Sequence, residues 1–193
     1  MIHANHKSTD AAFSGRFFLA RILQDDGSTL TLNTLPTKFF SDFTLDDYAL
    51  QIVSIPQYKD FTLAATNSAT QKFDGAQGGI FAVAVDGTCD LRGGTIDVAG
   101  KGGSIGWQLD GNAQMYDCLP IGAGQGSVFI LAKNLVMNSA TRLGATDSGA
   151  HLMIVAKTIT GFNQAAIQTD GGGAFVYVNE VVDQDTGNTV LFD

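Results

Sequence analysis

Five aspartates, Asp86, Asp90, Asp97, Asp110 and Asp117, fall in the middle of the chain. Two carboxylates held about 5–10 Å apart could cleave a glycosidic bond, one as acid and the other as nucleophile or base. The same residues suit β-turns and strand ends, where an Asp side chain accepts bonds from local backbone amides, and that structural role is the expected one. Trp107, Gln108, Asp110 and Tyr116 lie close together in GSIGWQLDGNAQMYDC. Aromatic faces beside amide and carboxylate groups suit sugar recognition, and loops on a rigid scaffold commonly carry binding. A loop packing its own Trp is the competing account.

Other chemistry finds less support. GAQGG, GKGG and DGGG are glycine clusters, but there is no G-x-x-x-x-G-K-[S/T] run, so turn corners explain them better than a phosphate cradle. His3, His6 and His151 lack ligand-like spacing to Cys89 or Cys118, and no C-x-x-C pair occurs. No metal or cofactor is expected. The two cysteines read as free, partly buried thiols, with a single bridge as the alternative. His151 reads as a solvated turn histidine. The DTG triplet at 185–187 sits in a segment that reads as a hairpin, and its likeness to an aspartic-protease signature is attributed to chance.

The elements that position these residues are set by a repeat. Residues 128–136, VFILAKNLV, and 152–160, LMIVAKTIT, are offset by 24 positions without a gap. Ile130 then falls on Ile154, Lys133 on Lys157, and Leu143 on Ile167. Continuing the phase predicts that Phe81, Phe129, Met153 and Tyr177 form one column. It also places Val176–Val178 in the first apolar run and Leu191 in the second. A period of 24 with two strand-like runs and glycine corners indicates an all-β fold, a parallel β-solenoid of about 24 residues per coil. Residues 104–125 break the phase and read as an inserted loop. The second strand of the coil begun at Ile80 is expected at Thr95, Ile96 and Val98, with GKGG as its corner.

The chain therefore divides into an N-terminal segment, 1–49, and a repeat region, 50–193. The first holds six of the thirteen Phe: Phe13, Phe17, Phe18, Phe39, Phe40 and Phe43. RFFLARILQDDGSTLTLNTL reads as two strands around a DDGS turn. A short helix over 11–23 is the alternative. The segment is expected to cap the repeats or pack on them.

Side chains alternate along a strand. A buried unpaired Lys is expensive, so Lys133 is placed outward, with Val128, Ile130 and Ala132 inward. That sends Phe81, Phe129, Leu131, Met153, Val155 and Tyr177 to the outer face. Strands apolar on both sides are covered on both sides. The cover is either the Phe-rich segment or a second chain, and a homo-oligomer, dimer or trimer, is favoured. The opposite placement, with Phe129 and Leu131 inside and Lys133 at a corner, needs no partner.

Gln51 to Gly103 resembles the glycine-rich β-helical segments of phage tail and bacterial surface, adhesin-like proteins. The matching elements are Tyr58, Gly78–Gly79, Gly87–Thr88, Thr95–Asp97 and Gly100–Gly102, and the likeness extends over roughly residues 51–175. It implies a right-handed, single-stranded β-helix with a role in tail structure or surface attachment. Such segments usually sit in long polypeptides, whereas this chain is short and is expected to be complete. The motifs describe a coil and not a reaction. The expected function is a non-enzymatic structural or adhesive part with a cell-surface glycan as possible partner. A small carbohydrate-binding or carbohydrate-active protein is the alternative.

Composition agrees. The net charge of −8 and the lack of any basic cluster argue against nucleic acid. No apolar run is long enough for membrane insertion by a helix. MIHANHKSTDAAFSGRFF lacks the charged and apolar regions of a signal peptide, so the expected location is the virion, or the cytoplasm before release.

Overall fold

The computed structural model describes residues 1–6, 17–34, 48–63, 65–67, 70–74, 77–102, 126–144, 150–162, 167–168, 173–182 and 189–191. These residues are all-β, with no helix among them. The N-terminal strands are β1 (Ile2–His6), β2 (Phe17–Phe18), β3 (Ile22–Asp25), β4 (Leu30–Leu32) and β5 (Tyr48–Ile52). Short strands follow at β6 (Gln57–Tyr58), β7 (Phe61–Thr62) and β8 (Thr66–Asn67). Long and short strands then alternate: β9 (Ile80–Asp90), β10 (Thr95–Asp97), β11 (Ser127–Val136), β12 (Arg142–Gly144), β13 (His151–Thr160), β14 (Ile167–Gln168) and β15 (Gly173–Val182). The last strand is β16 (Thr189–Leu191).

The alternation sorts the strands into two mostly parallel sheets. The long strands form the order β16-β15-β13-β11-β9-β6, with β7 also on β9. The short ones form β14-β12-β10-β8. Between the sheets lies one apolar cluster, including Val128, Ile130 and Ala132 from β11, Ile154 and Ala156 from β13, and Ile96 and Leu143 from the short strands. Burying an aliphatic side chain of this size is worth about 1.5–3 kcal/mol. The Lys-outward placement therefore holds for β11, and the opposite placement does not.

The repeat sets one interface with full fidelity. In β11 and β13, Val128 pairs with Leu152, Ile130 with Ile154 and Leu135 with Ile159, all at the offset of 24. On the short strands Leu143 lies opposite Ile167. The neighbouring interfaces are out of the predicted phase. Phe129 faces Ala82, and Phe81 faces Val128. A one-residue slip exchanges the faces of a strand, so Val83 and Val85 point into the shared core and Phe81 packs against that core, half-buried. A bulge at Asp86–Gly87 then adds a residue to β9, after which Asn134 faces Thr88. The bulge is pinned from outside the strand. The Gly87 N–H donates to the Lys59 carbonyl at 2.7 Å and the Thr88 N–H to the Asp60 carboxylate at 2.8 Å. A Cβ at Gly87 would strike that carboxylate and that carbonyl.

In the last interface Met153 faces Phe175, and Tyr177 faces Val155. Tyr177 keeps its outward parity but moves one column over. Leu191 does not continue the second run: β16 turns back antiparallel on β15, with Val190 opposite Val181. The connection before β9 holds the short strand β8, in which Thr66 pairs with Thr95.

Corners between the sheets are closed by side chains. Thr141, fully buried, donates from its hydroxyl to the Leu91 carbonyl at 2.8 Å and accepts from the Asn138 N–H at 3.1 Å. The Asn138 side-chain oxygen accepts from the Gly93 N–H at 3.0 Å. A coil-to-coil link of this kind satisfies backbone groups that neither sheet reaches.

Strands within residues 1–52 build two further sheets, so this part of the chain runs past residue 49 to the end of β5. One is β2-β1-β5, antiparallel, with Ile2 facing both Phe18 and Ile52. The other is the β3-β4 hairpin. Its turn is capped by Asp26, whose carboxylate accepts from the Ser28 and Thr29 amides at 2.9 and 2.6 Å. These bonds hold that carboxyl below its usual range. Residues 17–18 and 22–23 are strand, so the helix alternative fails there.

Candidate functional site

The outer face of the long-strand sheet is apolar for two columns, and the two have different fates. The first runs through Ala82, Phe129 and Met153. Together with Met1, Phe73 and Ile80 it forms a second buried cluster, flanked by Phe17, Val53 and Ile55. Phe129 is 2% exposed, and the Phe17 ring stands edge-on to it with centroids 5.9 Å apart. Aromatic pairs prefer such T-shaped contacts because ring edges are positive and faces negative. The sheet continues past β9 to β6, where the Ala84 N–H donates to the Pro56 carbonyl at 3.0 Å in the parallel ladder. A buried amide pair ties this layer to the repeat. Gln51 accepts from the Gly78 N–H at 2.9 Å and donates to the Gly78 carbonyl at 3.3 Å. Gly78 sits at φ +100°, where a side chain would be strained.

The second column runs through Ala84, Leu131, Val155 and Tyr177 and is left largely open. Leu131 is 40% exposed and Tyr177 57%. Leu131 and Ala84 line a groove of about 590 Å³ together with Leu19, Ile22, Leu30 and Leu32. Two residues beyond Leu131 and Val155, Lys133 and Lys157 project outward and exposed, side by side on adjacent strands. The site is thus an open apolar strip bordered by a pair of cations.

Of the six residues predicted for the stripe, Phe129 and Met153 are covered by the chain's own N-terminal layer. Leu131 and Tyr177 are open, and Val155 is half-buried. Phe81 is not part of it, because its strand is displaced by one residue. The predicted sugar-contact residues Trp107, Gln108, Asp110 and Tyr116 lie outside the described residues, as do Asp117 and Cys118.

The remaining carboxylates serve the fold. Asp90 is clamped by Arg92 at 2.6 Å, and the guanidinium bonds hold its carboxyl below the usual range. Asp97 accepts from the Ala99 N–H at 2.9 Å, as a turn-capping Asp does. Asp86 is exposed beside the bulge. Among the described residues no group of His, Cys, Asp and Glu is arranged to hold a metal ion.

His151 is buried, not solvated. It stands in the strand ladder between Ser127 and Gly173, whose small size leaves space for the imidazole. Burial lowers its pKa to about 4, so it is neutral at physiological pH. Cys89 is a buried thiol pushed up to about 12, mainly by burial and further by Asp90, and is unreactive at neutral pH.

The groove was not foreseen. Its sequence signal is the cluster of Leu19, Ile22, Leu23, Leu30 and Leu32 around an acidic turn, more apolar residues than a lone hairpin can bury. No family model, curated protein or solved structure matches this chain.

Proposed function

We propose that the chain is a non-enzymatic β-solenoid, right-handed and single-stranded, acting as a structural or adhesive part of a phage tail or bacterial surface. The observation that carries the reading is the β11–β13 interface, where nine residue pairs keep the 24-residue offset while successive strands alternate between two parallel sheets. Such stacking gives a rigid scaffold, and loops on rigid scaffolds carry binding. The segment 104–125 is the loop in question, with Trp107, Gln108, Asp110 and Tyr116 as sugar contacts. The roles of Asp90 and Asp97 in ion pairing and turn capping favour a scaffold over a hydrolase.

A glycan array run beside a reducing-sugar assay tests this. Binding that is lost in Trp107→Ala, with no release of reducing ends, is the expected outcome. Release of reducing ends that disappears in Asp97→Asn would replace the scaffold with a carbohydrate-active enzyme.

A further inference from the structure

The open strip and the β3-β4 hairpin are complementary to each other. Lys133 and Lys157 face outward from neighbouring strands, about 4.8 Å apart at strand spacing. Like charges placed directly across a strand pair are destabilising, and the net charge of the chain is −8; on the neighbouring strand the register sets the exposed Asp86 of the bulge beside Lys133. Beside them lie Leu131 and Tyr177, open to solvent. The hairpin carries the opposite set. Asp25 and Asp26 are both exposed at its turn. Leu23, at the bulge in the β3-β4 ladder, is 62% exposed. A two-stranded hairpin is marginal by itself in water, and this one is exposed along the whole of β3.

We infer that the strip binds a second copy of this chain, with the hairpin of one copy laid on Leu131 and Tyr177 of the other and its Asp25–Asp26 turn against Lys133 and Lys157. Strip against strip would bring lysine to lysine, so the acidic hairpin is the complementary surface. Leu131 of the strip and Ile22, Leu30 and Leu32 of the hairpin line one groove, so the two surfaces are neighbours on the molecule, as a reciprocal two-fold exchange requires, and an isologous dimer closes without leaving an open end. The inference deepens the scaffold reading by naming a partner, but it stands on exposure and charge. A glycan array that failed would leave it intact.

The test is molar mass by light scattering on the full chain, wild type and two charge variants, each checked for fold by circular dichroism. Wild type is expected to be a dimer that weakens in about 1 M NaCl, where the screening length falls to about 3 Å. Lys133→Glu with Lys157→Glu should give a monomer, as should Asp25→Lys. An equimolar mixture of the two variants should recover a dimer, because the unchanged acidic turn of the one then meets the unchanged Lys133 and Lys157 of the other, and in the second contact the introduced cation meets the introduced carboxylates. A monomeric wild type, a dimer unmoved by the lysine substitutions, or variants that stay monomeric when mixed would each overturn the inference. If a variant fails to fold, the wild-type salt series decides: a dimer indifferent to NaCl would overturn it equally.

Discussion

The two faces of the long-strand sheet are built from the same kind of residue and end differently. The inner face meets the short-strand sheet, and β9, β11 and β13 are each followed by a short strand on the other side of that contact. Val128, Ile130 and Ile154 are sealed there because the repeat supplies their cover automatically. The outer face has no such supply. Its first column is closed by a layer the repeat does not encode, from Met1, Phe17, Val53 and Ile55. Its second column outruns that layer and stays open at Leu131 and Tyr177. A repeat can thus specify its own interior, while its outer surface is finished by sequence from elsewhere in the chain.

The sharpest way to break this comparison is to remove a side chain from each place and compare urea midpoints. Ile154→Ala on the inner face and Phe129→Ala under the N-terminal layer should each cost about 3–5 kcal/mol, as buried large-to-small changes do. If Phe129→Ala were nearly neutral, the outer layer would not be a true second core.

Acid should act on the repeat ladder through His151. Its folded pKa, about 4, lies below the ordinary 6.5. The unfolded chain therefore takes up a proton first as pH falls. Stability is highest above pH 6.5, declines between 6.5 and about 4, and levels off for this group below that. The total is about 3 kcal/mol at 1.36 kcal/mol per pH unit. Urea midpoints across that window should slope downward toward acid, and His151→Gln should flatten the slope.

Smaller effects refine the picture. Gln51→Ala removes both bonds to the half-buried backbone of Gly78, at about 1–3 kcal/mol. Calorimetric melting temperatures would register it. Leu131→Ala, on the open column, should cost less than about 1 kcal/mol in the monomeric Lys133→Glu, Lys157→Glu background, because little apolar area leaves the interior. A cost like that of Phe129→Ala would mean the strip is covered by the chain itself.

The interface between β11 and β13 was legible because both strands and the loop between them are free of insertions, so identity in sequence equals adjacency in space. The same reasoning misplaced Phe81 and Tyr177. One residue of slip before β11, the Asp86–Gly87 bulge and a coil two residues shorter before β15 are invisible to an ungapped alignment. Lys133 lies outward as expected because the cost of burying a charge depends on one strand alone. His151 was misread because a neighbouring glycine suggested a turn, whereas Ser127 and Gly173 across the ladder make room for a buried ring. The strip and hairpin could be suspected from their apolar residues, but which column the N-terminal layer covers depends on long-range packing that carries no period.

The central claim is that the first outer column is closed by the chain's own N-terminal layer while the second is not, and the Phe17–Phe129 contact is its most direct probe. A double-mutant cycle with Phe17→Leu and Phe129→Leu, read by equilibrium unfolding, should give a coupling of about 1 kcal/mol, as edge-to-face pairs do. Additivity of the two substitutions within about 0.3 kcal/mol would contradict the account.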